Sequence, residues 1–248
     1  MKAKFQTISD QGAVRPNNED AIKYGVMGDV VWMVIADGMG GHLAGEVASK
    51  KLVDEIEKSL QKLPKLDSKD ILCFIELELN RANNKIFACA EKNIKQKGMG
   101  TTAVLLIIKD GYCYLGWVGD SRCYHFRPSN YEKDELTLKT TDHTMVQALY
   151  AKGAISKQDV ETSNQKNMLT RAVGIKKGVK VDTISFPVQS KDALFLSTDG
   201  LHDSIGEVDL LKAIGKIGLD IDMTEILVKK AIDNGSKDNI TFGSIFIN

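Results

Sequence analysis

Residues 30–42 read VVWMVIADGMGGH. Val30 to Ala36 is an apolar run carrying the β-branched and aromatic residues of a buried strand. It stops at Asp37-Gly38, then Gly40 and Gly41 follow, and a helical pattern opens at Leu43. A buried strand that ends in a carboxylate and a glycine-rich turn holds that carboxylate rigidly at the edge of a core. The function depends on whether other segments bring carboxylates to the same edge.

C-terminal to this stretch, Ala48, Leu52, Ile56 and Leu60 recur at helical spacing with charges on the opposite face, and Pro64 ends the pattern. A second helix, capped by Asp67 or Ser68, carries the stripe Ile71, Ile75, Leu79, Ala82, Ile86 and Ala90, fading over Lys92 to Gly98. Strands then dominate. Thr101–Ile108, Tyr112–Val118 and Arg122–Arg127 read as a meander turning at Lys109-Asp110-Gly111 and Gly119-Asp120-Ser121. Leu136–Thr140 adds another strand, and Phe5–Ile8 an early one. The pattern loosens from Thr141 to Gly178, which marks a mobile or substrate-facing insertion. Strands at Val179–Val188, Ala193–Ser197 and Asn239–Ile247 enclose two helices, Val208–Ile217 and Met223–Asn234. Hairpin-linked strands with paired helices predict an α+β fold: an antiparallel β-sandwich of two sheets, flanked on each side by a pair of helices. With no repeat or linker, residues 1–248 form one domain.

The 248 residues carry 33 basic and 33 acidic side chains, a balance that argues against a general nucleic-acid binder. A local acidic cluster neutralised by cations remains compatible with that balance. Cys73, Cys89, Cys113 and Cys123 form no CxxC pair and read as reduced thiols. No run approaches the ~20 apolar residues of a membrane helix, and the amino-terminal residues lack a secretion-signal pattern. A cytoplasmic protein is expected.

Asp37-Gly38, Asp120-Ser121 and Asp199-Gly200 each follow an apolar strand, and Asp238-Asn239 precedes one. Each alone is a favoured turn dipeptide. Four together, with Glu19-Asp20 as a fifth acidic element, form a cluster whose members repel unless a cation holds them. Hard oxygen ligands with no His/Cys set favour Mg²⁺ or Mn²⁺ over zinc, and a glycine beside an aspartate lets its carbonyl approach a metal. Two such ions about 3.5–4 Å apart lower the pKa of a shared water and clamp a transferring phosphoryl group. Arg15 offers a permanently charged fork for phosphate oxygens.

The motifs VRPNNED (14–20), ADGMGGH (36–42), GMGTT (98–102), VGDSR (118–122), TDHT (141–144), LTRAVG (169–174), STDGL (197–201) and KDNIT (237–241) occur in order along the chain. With them the chain resembles the metal-dependent serine/threonine protein phosphatases of type 2C, the compact bacterial kind. The resemblance implies that Asp37 bridges two metals, with the Gly38 carbonyl on one and Asp199 and Asp238 on the other. Asp120, with Asp199, would hold the third ion described in bacterial members. Glu19 and Asp20 would hydrogen-bond metal-bound waters, which makes Arg15, Asp37 and Asp20 the catalytic set, with Arg15 holding the substrate phosphate. Residues 144–174 would form a variable flap.

Where some members have a histidine directly after Asp-Gly, this chain has Met39, so His42 is the candidate proton donor. Thr101 and Thr102 read as structural, and His143 as ordering the flap. The implied reaction is in-line attack of a metal-bridged hydroxide on phosphoserine or phosphothreonine, without a covalent intermediate. The implied partners are phosphoproteins, a Ser/Thr kinase's substrates and the kinase itself, and the protein is expected to be a monomer. The alternatives are a catalytically silent binding module of this fold, a phosphatase restricted to a stress-signalling regulator, and a two-metal nuclease, which zero net charge disfavours.

Overall fold

The computed structural model describes residues 2–40, 44–129, 134–163, 165–217 and 222–248. His42, the candidate proton donor, lies outside them. The chain opens with strands β1 (Ala3–Asp10), β2 (Asp20–Met27) and β3 (Val30–Met39), then helices α1 (Ala44–Leu60) and α2 (Ile71–Lys92). A short β4 (Gly100–Thr101) precedes β5 (Ala103–Lys109), β6 (Tyr112–Val118), β7 (Arg122–Arg127) and β8 (Glu135–Leu138). The expected insertion contains α3 (Met145–Ala151) and α4 (Lys157–Thr162). After it come β9 (Asp182–Pro187), β10 (Ala193–Ser197), α5 (Asp199–His202), α6 (Glu207–Ile217), α7 (Thr224–Asp233) and β11 (Ile240–Ile247).

One sheet runs β1-β11-β10-β7-β8 and the other β2-β3-β5-β6-β9, with β4 against the end of β3. Every pairing is antiparallel. The apolar run of β3 serves two cores because its side chains alternate between faces. Val30, Trp32, Val34 and Ala36 pack under α1 and α2, with Leu52, Ile56, Ile75 and Leu79. Val31, Met33 and Ile35 face the other sheet, against Leu196 and Ile245. A third cluster seats α6 and α7 on the outer face of the β11 sheet through Leu210, Leu227, Phe195 and Phe242. The expected sandwich with a helix pair on each side is the observed one. Each large aliphatic side chain fully buried in it contributes about 1.5–3 kcal/mol.

Three expectations need correction. β3 does not end at Ala36; it continues to Met39 because Gly38 and Met39 pair with Thr101 and Gly100. The meander breaks after β6, since β7 belongs to the opposite sheet and Gly119-Asp120-Ser121 is a corner rather than a hairpin turn. Gly119 makes that corner at φ +105°, where a Cβ would lie 2.6 Å from Thr102 Cγ2. Neither Asp67 nor Ser68 caps α2, which begins at Ile71 after a single 3₁₀ turn; the Ser68 hydroxyl is engaged by Asp110 instead.

Antiparallel order also positions the site. β1, β3, β6 and β10 end at the rim where β2, β5, β7 and β11 begin. Carboxylates at or just past the ends of the first set, or at or just before the starts of the second, therefore meet at one end of the sandwich.

Candidate metal-assisted phosphate site

At that rim lies a cavity of about 630 Å³ lined by Arg15, Glu19, Asp37, Gly38, Asp120, Asp199 and Asp238, together with Met39, Asn167 and Asn239. Asp20 lies just outside this lining, opposite Asp37 in the β2–β3 register. Every site residue expected from the sequence, apart from His42, is therefore brought to one place.

The backbone around Asp37 is held by two threonines. Asp37 N–H donates to Thr102 Oγ1 at 2.9 Å, and Asp37 O accepts from Thr102 N at 2.8 Å and from Thr101 Oγ1 at 2.9 Å. Thr102 Oγ1 also bonds Ser121 Oγ at 2.7 Å, which ties the Asp37 strand end to the corner carrying Asp120. Gly38 N–H donates to Glu19 O at 3.0 Å. A Cβ on Gly38 would lie 2.3 Å from Gly45 O and 2.5 Å from Glu19 O, so the close approach of α1 to this strand demands glycine.

Asn239, unremarked in the sequence beyond its turn dipeptide, is the organiser of the opposite wall. It is 4% exposed. Its Oδ1 accepts from Glu19 N–H at 2.9 Å, while its Nδ2 donates to Gln11 O at 2.9 Å and Asn17 O at 2.8 Å. One amide thus fixes the loop that carries Arg15 and Glu19 against the start of β11. The turn-forming tendency of Asp-Asn concealed this role, which only the loop's folded path reveals. Thr198 plays a similar part, donating to Asp20 Oδ2 at 2.9 Å and accepting from Thr241 N–H at 3.0 Å.

The carboxylates crowd one another. Lost hydration, then the charges of Asp20, Asp199, Asp120 and Asp238, push Asp37 well above the usual carboxylate range. Lost hydration also raises Asp20 to about 7, despite hydrogen bonds from Thr241 and Thr198. Asp120 rises to about 8, by burial and then the charge of Asp199. Asp199 rises to about 6 by burial and the charge of Asp238, held back by a hydrogen bond with Asp37. Two buried oxygens, Asp20 Oδ1 and Asp199 Oδ1, have no hydrogen-bond partner among the described residues.

Arg15 Nη2 sits 2.6 Å from Asp238 Oδ2, and its side chain is 52% exposed at the cavity mouth. Among the described residues, no three His, Cys, Asp or Glu side chains stand close enough to cage an ion as they are. Asp238 in particular is turned toward Arg15. The donor set nevertheless fits hard divalent cations: carboxylates and a glycine carbonyl, mutually repelling, with two buried oxygens unpartnered.

A family model described as Protein phosphatase 2C matches residues 13–220. The Serine/threonine phosphatase stp of Listeria welshimeri is 35% identical over 250 residues, spanning 97% of this chain and 94% of that protein. The crystal structure of Serine/threonine phosphatase Stp1 from Staphylococcus aureus superposes with a TM-score of 0.92 at 31% identity, covering 100% of this chain and 96% of that one. The catalytic domain of serine threonine protein phosphatase PstP, in complex with two manganese ions, superposes with a TM-score of 0.84 at 29% identity, covering 99% of each chain.

Proposed function

Since the chain belongs to the protein phosphatase 2C family, it is a serine/threonine protein phosphatase, and we propose that it hydrolyses phosphoserine and phosphothreonine by direct attack of water, dependent on Mn²⁺ or Mg²⁺. No phosphorylated enzyme lies on this path. The observation that carries the reading is the pair of buried oxygens, Asp20 Oδ1 and Asp199 Oδ1, without a partner among the described residues and set among carboxylates held apart from their usual ionisation.

Asp37, the Gly38 carbonyl, Asp199 and Asp238 are the proposed ligands of two ions, and Asp120 with Asp199 those of a third. Bound divalent cations would neutralise the cluster and lower the pKa of a water toward neutrality. The chain's own groups do the rest. Arg15, over the cavity, can turn its fork from Asp238 onto two phosphoryl oxygens and hold the monoester in line. Asp20 Oδ1 and Glu19 are placed to accept hydrogen bonds from water and so to orient it. The Thr102 hydroxyl holds the Asp37 backbone in place, and the Thr198 hydroxyl keeps the Asp20 carboxylate from rotating away.

The proposed partners are phosphoproteins, including those written by a Ser/Thr kinase and the kinase itself, met by a monomer. No helix among the described residues is long and apolar enough to cross a membrane. The test is hydrolysis of a phosphothreonine peptide with Mn²⁺. Activity should stop with chelator and fall by about 100-fold or more in Asp37→Ala or Asp199→Ala. Full activity in either variant would overturn the ligand assignment, and turnover of a diester but not a monoester would overturn the substrate class.

A further inference from the structure

His143 is 3% exposed and stands outside the cavity lining, yet it bonds to more of the site's scaffold than an ordering residue of a flap would need. It brackets the corner after β6 from both sides. Gly119 N–H donates to His143 Nδ1 at 3.0 Å, and His143 N–H donates to Gly119 O at 2.9 Å. Since Nδ1 accepts, the ring proton sits on Nε2, which donates to Asp182 Oδ2 at 3.1 Å. Asp182 in turn receives both arms of Arg171, at 2.7 and 3.1 Å. His143 O accepts from Thr170 N–H at 2.8 Å. The imidazole also stacks on Trp117, with ring centroids 6.1 Å apart and planes 18° apart. Burial and the nearby Arg171 charge both favour the neutral ring.

These bonds join three things. His143 opens the flap segment, Arg171 closes it, and Gly119 sets the backbone from which Asp120 enters the cavity. We propose that His143 is a positioning residue that couples the base of the flap to the Asp120 corner, Nδ1 acting on the corner and Nε2–H on the flap. The neutral imidazole suits this because it accepts on one side and donates on the other across a rigid ring. A flap that lifts at its base would release the corner, and a displaced corner would loosen the flap. The proposal rests on the phosphatase reading only in taking Asp120 as a cation ligand.

Two near-isosteric variants separate the arms. His143→Asn keeps an acceptor near Nδ1 and loses the donor to Asp182, whereas His143→Gln keeps a donor near Nε2 and loses the acceptor for Gly119. The first readout is amide hydrogen exchange by mass spectrometry, which needs neither metal nor activity. His143→Asn should speed exchange across 141–174 and spare 118–123, and His143→Gln should do the reverse. The second readout is calorimetric Mn²⁺ titration with peptide kinetics. His143→Gln should weaken one Mn²⁺ site by about 10-fold, while His143→Asn should raise peptide KM several-fold and leave Mn²⁺ affinity within about 2-fold.

Identical behaviour of the two variants in exchange, Mn²⁺ affinity and KM would overturn the coupling, whether both match wild type or both decline with Tm. Should either fail to fold, Arg171→Gln should reproduce the His143→Asn pattern, and its failure to raise KM or exchange across 141–174 counts against the proposal. A wild-type protein that binds no Mn²⁺ would remove the phosphatase reading, and the exchange pattern would still judge the two arms.

Discussion

Arg15 and Asp238, separated by 223 positions in the chain, meet at 2.6 Å across the mouth of the cavity. The pair occupies the two groups to which opposite tasks are assigned, phosphate recognition and cation binding. On the proposed roles it is a resting contact that each partner would leave when engaged. Arg15→Ala should raise KM for a phosphothreonine peptide by about 10–100-fold while leaving Mn²⁺ affinity unchanged or tighter. Arg15→Lys should recover only part of the loss, because an ammonium cannot fork onto two oxygens. Weaker Mn²⁺ binding in Arg15→Ala, measured by calorimetry, would mean that the contact supports Asp238 rather than competing for it.

The raised carboxylates make the metal-free protein pH-sensitive in a definite direction. Asp20, Asp120 and Asp199 titrate near 7, 8 and 6 in the folded chain, against 3.8 for an ordinary aspartate. Through these carboxylates the folded state binds more protons than the unfolded state, so their contribution to stability falls as pH rises from about 4 to about 8; the buried rings of His125, His143 and His202, which favour the neutral form, oppose this only below about pH 6.5. Chelator-treated protein should lose about 3 °C of Tm between pH 6.5 and 8, where the carboxylates act without that opposition. Saturating Mn²⁺ should flatten or reverse the slope. A chelated Tm that climbs over this range would contradict the crowding argument.

Asn239→Asp tests the organising amide. The carboxylate can accept from Glu19 N–H but cannot donate to Gln11 O and Asn17 O, leaving two carbonyls without their present donor. A loss of about 1–3 kcal/mol is expected in urea melts, with kcat/KM falling further than the stability loss explains. Lys237→Ala, next door in sequence, should do neither.

Thr102→Val removes one hydroxyl at nearly constant volume. It strands the Asp37 N–H and the Ser121 hydroxyl together, since both depend on Thr102 Oγ1. The expected cost is about 1–3 kcal/mol with a lowered kcat. Thr102→Ser should restore most of both.

Much of this arrangement was legible in the residues. Tyr112–Val118, Arg122–Arg127 and Ala193–Ser197 are strands over the bounds their composition predicts, because apolar runs between tight turns have few other outcomes. The aspartates at strand ends were visible for the same reason. β2 was not, since Pro16-Asn17-Asn18 masks its start and its half-exposed side chains follow no clean alternation. The corner at Gly119 looked like a hairpin because local sequence cannot say which sheet the next strand joins. Asn239 and His143 act through bonds to segments far away in the chain, and no local pattern encodes such partners.

β11 lies between β1 and β10 inside its sheet, and Ser9 Oγ meets Thr241 Oγ1 at 2.8 Å from 232 positions away. A ribosome makes the β1 end first and the β11 end last. Until Ile247 has emerged, β1 lacks its neighbour, Asp238 has no wall to stand on, and Arg15 hangs from an untethered loop. On the proposed roles of Asp238 and Arg15, a nascent chain cut short of β11 would lack a finished site, and hydrolysis would await synthesis through β11.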